Sequence, residues 1–158
     1  MEVPVSVAVL LVVVALVVAV LAFSAVPMFR EENVPPVRAS LPAGNPAYKA
    51  DNTYYVPLRF SKGRDVIVSV CRIDLAYVDG SGRVSSATIP GASGIFKDGS
   101  LTLKVSVVDK PAIDTVLIVR FANPDYRIAS VTFYYCLQGE MSPRWSETLL
   151  VPETALTP

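Results

Sequence analysis

Between Val3 and Phe29 the chain reads VPVSVAVLLVVVALVVAVLAFSAVPMF, with no charged side chain. Only Pro4, Ser6, Ser24 and Pro27 interrupt the apolar residues. Taken as a helix, Val5 to Val26 would rise about 33 Å, enough to cross the hydrocarbon core of a bilayer. Apolar side chains would lie all round it, so it must be surrounded by lipid or by other apolar helices. Valine is a mediocre helix former, because its branched Cβ loses rotamer freedom against the preceding turn. In apolar surroundings that objection weakens, since only a helix or a closed barrel pairs every backbone amide. The run therefore predicts a long helix that begins near Pro4 and stops at Pro27. Its assembly-facing positions are Pro4, Val5, Ala8, Leu11, Val12, Leu16, Val17, Val20 and Phe23. Pro27, Pro35 and Pro36 mark its end and a hinge.

A cleaved secretory signal fits this run poorly. Such signals carry a positive leading region, and the only charge ahead of the run is Glu2. Their apolar stretch is about 7–15 residues, shorter than this one, and no clean A-x-A box follows. Arg30-Glu31-Glu32 after the run is also unlike the basic flank of a simple anchor.

The remaining sequence suggests one modest domain. Residues 30–50 hold Pro35, Pro36, Pro42 and Pro46 and read as a semi-rigid connector, with an edge strand near Val37–Leu41. From Asp51 onward, short β-rich runs alternate with turn signals. The predicted strands are Tyr54–Phe60, Val66–Ile73 continuing through Leu75–Val78, Arg83–Ile89, Ser100–Val107, Thr115–Phe121, Arg127–Gln138 and Glu147–Val151. Pro57 places the first of them at an edge. No amphipathic helix separates them. The fold class expected is α+β: a long N-terminal hydrophobic helix (1–29), the connector (30–50) and an immunoglobulin-like antiparallel β-sandwich head (51–158).

Cys71 and Cys136 lie on two of the best strands and are expected to form a disulfide, as suits a domain beyond a membrane helix. Tyr134 stands two residues before Cys136, the spacing of a tyrosine corner, but no Trp follows Cys71 at the antibody distance. Seven tyrosines read either as strand filler or as an interface.

The composition excludes much chemistry. The chain has no histidine, the commonest general base and metal ligand. Fourteen basic residues balance fourteen acidic ones, which argues against nucleic acid as a partner. No dinucleotide or phosphate-loop motif is present, and Gly91-Ala92-Ser93-Gly94 reads as a loop. Asp79, Asp98 and Asp125 sit in turns, where Asp bonds its own backbone. A calcium site assembled from them is the alternative. No N-x-S/T sequon occurs. Neither an enzyme nor a cofactor is expected.

An all-round apolar N-terminal run, a proline-rich joint and an all-β head together resemble an archaeal type IV pilin. The sequence part of the resemblance rests on Val3–Val26, with Pro4 and Ser6 near its start. The resemblance implies removal of a basic leader, a membrane-inserted precursor, and a homopolymer on the cell surface. In it, helices bundle in the filament core and β-domains form the wall. An archaeal flagellin is a close variant. The sequence departs from the pattern in showing no Lys/Arg-Gly cleavage site, and Glu2 is earlier than the glutamate of bacterial pilins. Two other readings stand beside it: a membrane-anchored surface sandwich that binds a partner, and a secreted fibre protein that polymerises by strand exchange.

Overall fold

The computed structural model describes residues 5–18 and 34–152. The chain divides into two compact units, Met1–Val34 and Pro35–Pro158.

In the first unit, residues 5–18 form a helix, α1. Here the expectation of a long apolar helix is corrected. Fourteen residues rise only about 21 Å, short of a bilayer core of about 30 Å. No helix among the described residues is long and apolar enough to cross a membrane. The described residues are accordingly mostly β, with one short helix. Pro4, Val20, Phe23, Pro27 and the pair Glu31-Glu32 lie outside the described residues.

The second unit is a sandwich of two antiparallel sheets. Among the described residues there are eleven strands: β1 Val37–Ser40, β2 Tyr48–Ala50, β3 Thr53–Lys62, β4 Val68–Val78, β5 Val84–Pro90, β6 Ser93–Phe96, β7 Gly99–Leu103, β8 Val107–Val108, β9 Ala112–Phe121, β10 Arg127–Leu137 and β11 Trp145–Leu150. One sheet runs β1-β3-β9-β7-β6, with β2 also on β3. The other runs β11-β10-β4-β5, with β8 also on β4.

Period-two alternation explains why these segments are strands. Tyr54, Val56, Leu58 and Phe60 of β3 turn inward and are buried, while Thr53, Tyr55 and Arg59 turn out. On β10, Val131, Phe133 and Tyr135 are likewise buried. The two inner faces meet through rings. Phe60 packs edge-on to Phe133 at 5.7 Å and to Tyr135 at 6.4 Å. Such aromatic contacts add about 0.5–1.5 kcal/mol each beyond the area they bury.

The predicted strands are found with shifted ends. The expected pair Val66–Ile73 and Leu75–Val78 is a single strand, β4, which continues through Asp74. Ser100–Val107 is divided into β7 and β8. There the hydroxyl oxygen of the buried Thr115 accepts the Val105 N–H at 2.9 Å, which interrupts the ladder. Within the segment expected as a connector, the edge strand expected near Val37–Leu41 is β1, and β2 is a further strand that was not expected. Pro57 falls inside the sheet instead of at its edge, since β3 pairs with β9 along its length. Its missing N–H does no harm. On the opposite side of β3, β2 pairs only as far as Tyr55 and β1 begins at Arg59. The proline sits in the gap between them.

The two sheets are tied together at both sides of the sandwich. On one side Glu147 of β11 reaches across to β1. Its Oε2 accepts the Ala39 N–H at 2.9 Å and the Tyr135 hydroxyl at 3.0 Å. On the other side β5 turns directly into β6 through Gly91, at φ 97°. The Gly91 N–H donates to the Cys71 carbonyl at 2.8 Å.

Candidate functional site

Two surfaces and one covalent bond carry the residues singled out from sequence. Of the expected assembly positions, Val5, Ala8, Leu11, Val12, Leu16 and Val17 all lie on α1, and all are exposed. Val5 is 79% exposed and Leu11 64%. No polar side chain except Ser6 breaks the helix surface. In water such a surface is strongly unfavourable. Its eleven valines and leucines would each gain on the order of 1–2 kcal/mol on further burial.

Pro35 and Pro36, expected at a hinge, begin the sandwich unit. Pro36 is buried, and its carbonyl accepts the Gly63 N–H at 2.8 Å.

Cys71 and Cys136 form a disulfide with 5.9 Å between their Cα atoms. The bond joins β4 and β10, which are neighbours in one sheet. It therefore differs from the inter-sheet bridge of immunoglobulin domains. The register slips here: Tyr134 faces Arg72 while Tyr135 faces Val70. Cys71 is thus the extra residue of a β-bulge, which turns its side chain out of sequence toward Cys136. Cys136 is fully buried, yet it stands apart from the contiguous apolar core. Tyr134 makes no corner. It lies within β10, with the Arg72 guanidinium 4.5 Å from its ring.

The seven tyrosines divide between core and surface. At one end of the sandwich Tyr54, Tyr77, Phe96, Phe121 and Tyr126 form a ring cluster. Asp98 accepts the Tyr77 hydroxyl at 2.5 Å and the Tyr126 hydroxyl at 3.3 Å. Burial, together with that carboxylate, raises the Tyr77 phenol above its ordinary range. Burial and Glu147 do the same for Tyr135. Tyr48 and Tyr55 instead stack on each other on the outside of β2 and β3, with centroids 5.0 Å apart.

The three turn aspartates do not converge. Asp79 closes its own turn by accepting the Ser81 hydroxyl and the Ser81 and Arg83 N–H groups, which holds its carboxyl below the usual range. Asp79 and Asp125 line an open cleft with Lys49 and Arg127, while Asp98 belongs to the tyrosines. Among the described residues no group of three or more His, Cys, Asp or Glu is placed to hold a metal ion. Gly91 and Ala92 form the turn, while Ser93 and Gly94, also expected in a loop, begin β6; no helix opens there.

An apolar helix is exposed on all sides, and a cross-linked sandwich follows it in the chain. No protein-family model matches the sequence, and no curated protein or solved structure matches it.

Proposed function

We propose that the chain is the structural subunit of an extracellular helical filament of the archaeal type IV pilus kind, a homopolymer whose apolar N-terminal segments pack together beneath β-domains. The observation that carries this reading is α1, a helix apolar on all sides with every described residue exposed. It must be covered, and further copies of itself are the partner always present at equal stoichiometry. Covering it contributes on the order of 10–20 kcal/mol per subunit relative to water. The gain is smaller relative to lipid, which holds the segment before assembly. A contact of this type that does not close on itself produces a fibre. The role is structural and not catalytic.

Ties at both sides of the sandwich hinder an incoming strand and so favour assembly through the apolar segment over strand exchange: Glu147 bonds β11 to β1, and β5 leads straight into β6. The membrane-anchored alternative shares the apolar segment and is separated by the test.

The test is electron microscopy of surface material from cells that express the full chain, beside a Val13→Asp variant. Fibres from the parent and none from the variant are expected. Fibres from the variant, or single molecules of the parent retained in detergent or lipid, would refute assembly through this segment.

A further inference from the structure

The chain is formally neutral, but its charge is unevenly placed. Alternation along β1, β3 and β9 sends Arg38, Arg59 and Arg120 to the outer face of the six-stranded sheet, and Lys104 follows the end of β7; Asp114 is the one carboxylate on that face among the described strand residues. Arg59 is engaged by Asp114 at 2.7 Å. Arg38, Lys104 and Arg120 are exposed and make no ion pair with a described residue. On the other sheet's outer face, Arg72 and Asp74 cancel as a pair at 2.9 Å.

The cations surround an aromatic ledge. Tyr48 pairs with Tyr55, and Tyr55 pairs with Ile118 of β9, which makes one transverse row of rings and an aliphatic side chain. Arg120 lies two residues beyond Ile118. Lys104, whose N–H donates to the Val116 carbonyl, lies on the opposite side of the row. The two cations are therefore about 14 Å apart along the strands, on either side of Ile118, with the tyrosines set to one side of that line on β3 and β2. Thr53, Ser100 and Thr102 add hydroxyls on the same face.

We propose that this face binds an acidic, carboxylate-bearing polysaccharide, with Tyr48 and Tyr55 against the apolar faces of the sugar rings and Arg120 and Lys104 on carboxylates. The planar guanidinium of Arg120 matches a carboxylate in a bidentate fashion. Pyranose rings present flat C–H surfaces that suit an aromatic side chain, and their hydroxyls meet the Ser and Thr row. Single-stranded nucleic acid, the other polyanion that uses aromatic residues, fits less well. The neutral chain lacks the long-range basic surplus such binding draws on. This inference is independent of whether the chain forms filaments.

The test uses the full chain in nonionic detergent, applied to immobilised polygalacturonate, to dextran as a neutral control, and in competition with an oligothymidylate. Retention on polygalacturonate at low salt, its loss at high salt, and no retention on dextran are expected. Arg120→Ser combined with Lys104→Ser should weaken binding about tenfold or more and flatten its salt dependence. Tyr48→Ala should weaken it about as much while leaving the salt dependence intact. Thermal unfolding should be unchanged in these variants, since all three side chains are on the surface. Absence of retention on polygalacturonate, indifference to both sets of substitutions, or tighter binding of the oligothymidylate would overturn the proposal.

Discussion

Replacing both cysteines together, Cys71→Ala with Cys136→Ala, tests how much of the sandwich depends on its covalent bond. The bond closes a loop of 65 residues that contains β5 to β9, and so parts of both sheets. On the chain-entropy account, opening such a loop returns about 14 cal/mol/K to the unfolded chain, or about 4 kcal/mol at room temperature. Burial adds to this. Cys136 is fully enclosed, and alanine leaves a small void worth about 1 kcal/mol. An unfolding entropy of about 0.25 kcal/mol/K for roughly 120 residues converts 4–5 kcal/mol into a fall in Tm of about 15–20 °C. The assay is calorimetry or circular dichroism melting of parent and variant without reductant, with the parent plus reductant as a third sample. The double variant avoids a lone thiol that could pair between molecules. A fall below about 5 °C would refute the reasoning. It would mean that the β4–β10 pairing already confines the loop in the unfolded state, or that the bond is absent in solution.

Gly99→Ala should be more damaging than its small size suggests. An added Cβ would lie 2.0 Å from the Arg120 carbonyl oxygen, so β7 and β9 must separate. A loss of roughly 3 kcal/mol or more is expected in urea titration, and a wild-type midpoint would contradict the close approach. Glu147→Leu leaves the Ala39 N–H and the Tyr135 hydroxyl without their acceptor and should cost about 2–4 kcal/mol, whereas Glu147→Gln keeps an acceptor and should cost much less. Equal losses from the two would remove the clasp from the account. The raised Tyr135 phenol gives a pH dependence. The folded state holds it protonated, so its contribution is complete below the ordinary tyrosine value of about 10 and declines as pH rises above it, by about 1.4 kcal/mol per pH unit. Urea midpoints taken up to pH about 11 should fall, and should fall less steeply in Tyr135→Phe; a flat profile would refute the assignment.

Strand alternation made much of the sandwich legible in the sequence. β4, β9 and β10 were readable because their inward residues repeat every second position and their flanks carry turn formers. β2 was not, because its three residues sit among prolines and gain their identity only from pairing with β3. The break between β7 and β8 was also hidden, since a side chain ten residues away takes the ladder's donor. The cysteine pair could be guessed, but its place within one sheet depends on the long-range adjacency of β4 and β10. The basic outer face was invisible for a similar reason. Arg38, Arg59, Lys104 and Arg120 are scattered over the chain, and a net charge of zero conceals them until the register puts them on one side. The apolar run misled by its length: hydropathy measured how far the greasy residues extend, not how far the described helix does.

The covalent loop has a further consequence when the chain is pulled. A load applied across residues 35–152 cannot be transmitted through the stretch between Cys71 and Cys136, because the bridge carries it past those strands. Fully drawn out, the unit could lengthen to only about 180 Å, against about 410 Å with the bridge cut. A tether built from such units would yield by a short, fixed stroke and then hold, with more than half of each one still shielded from the force.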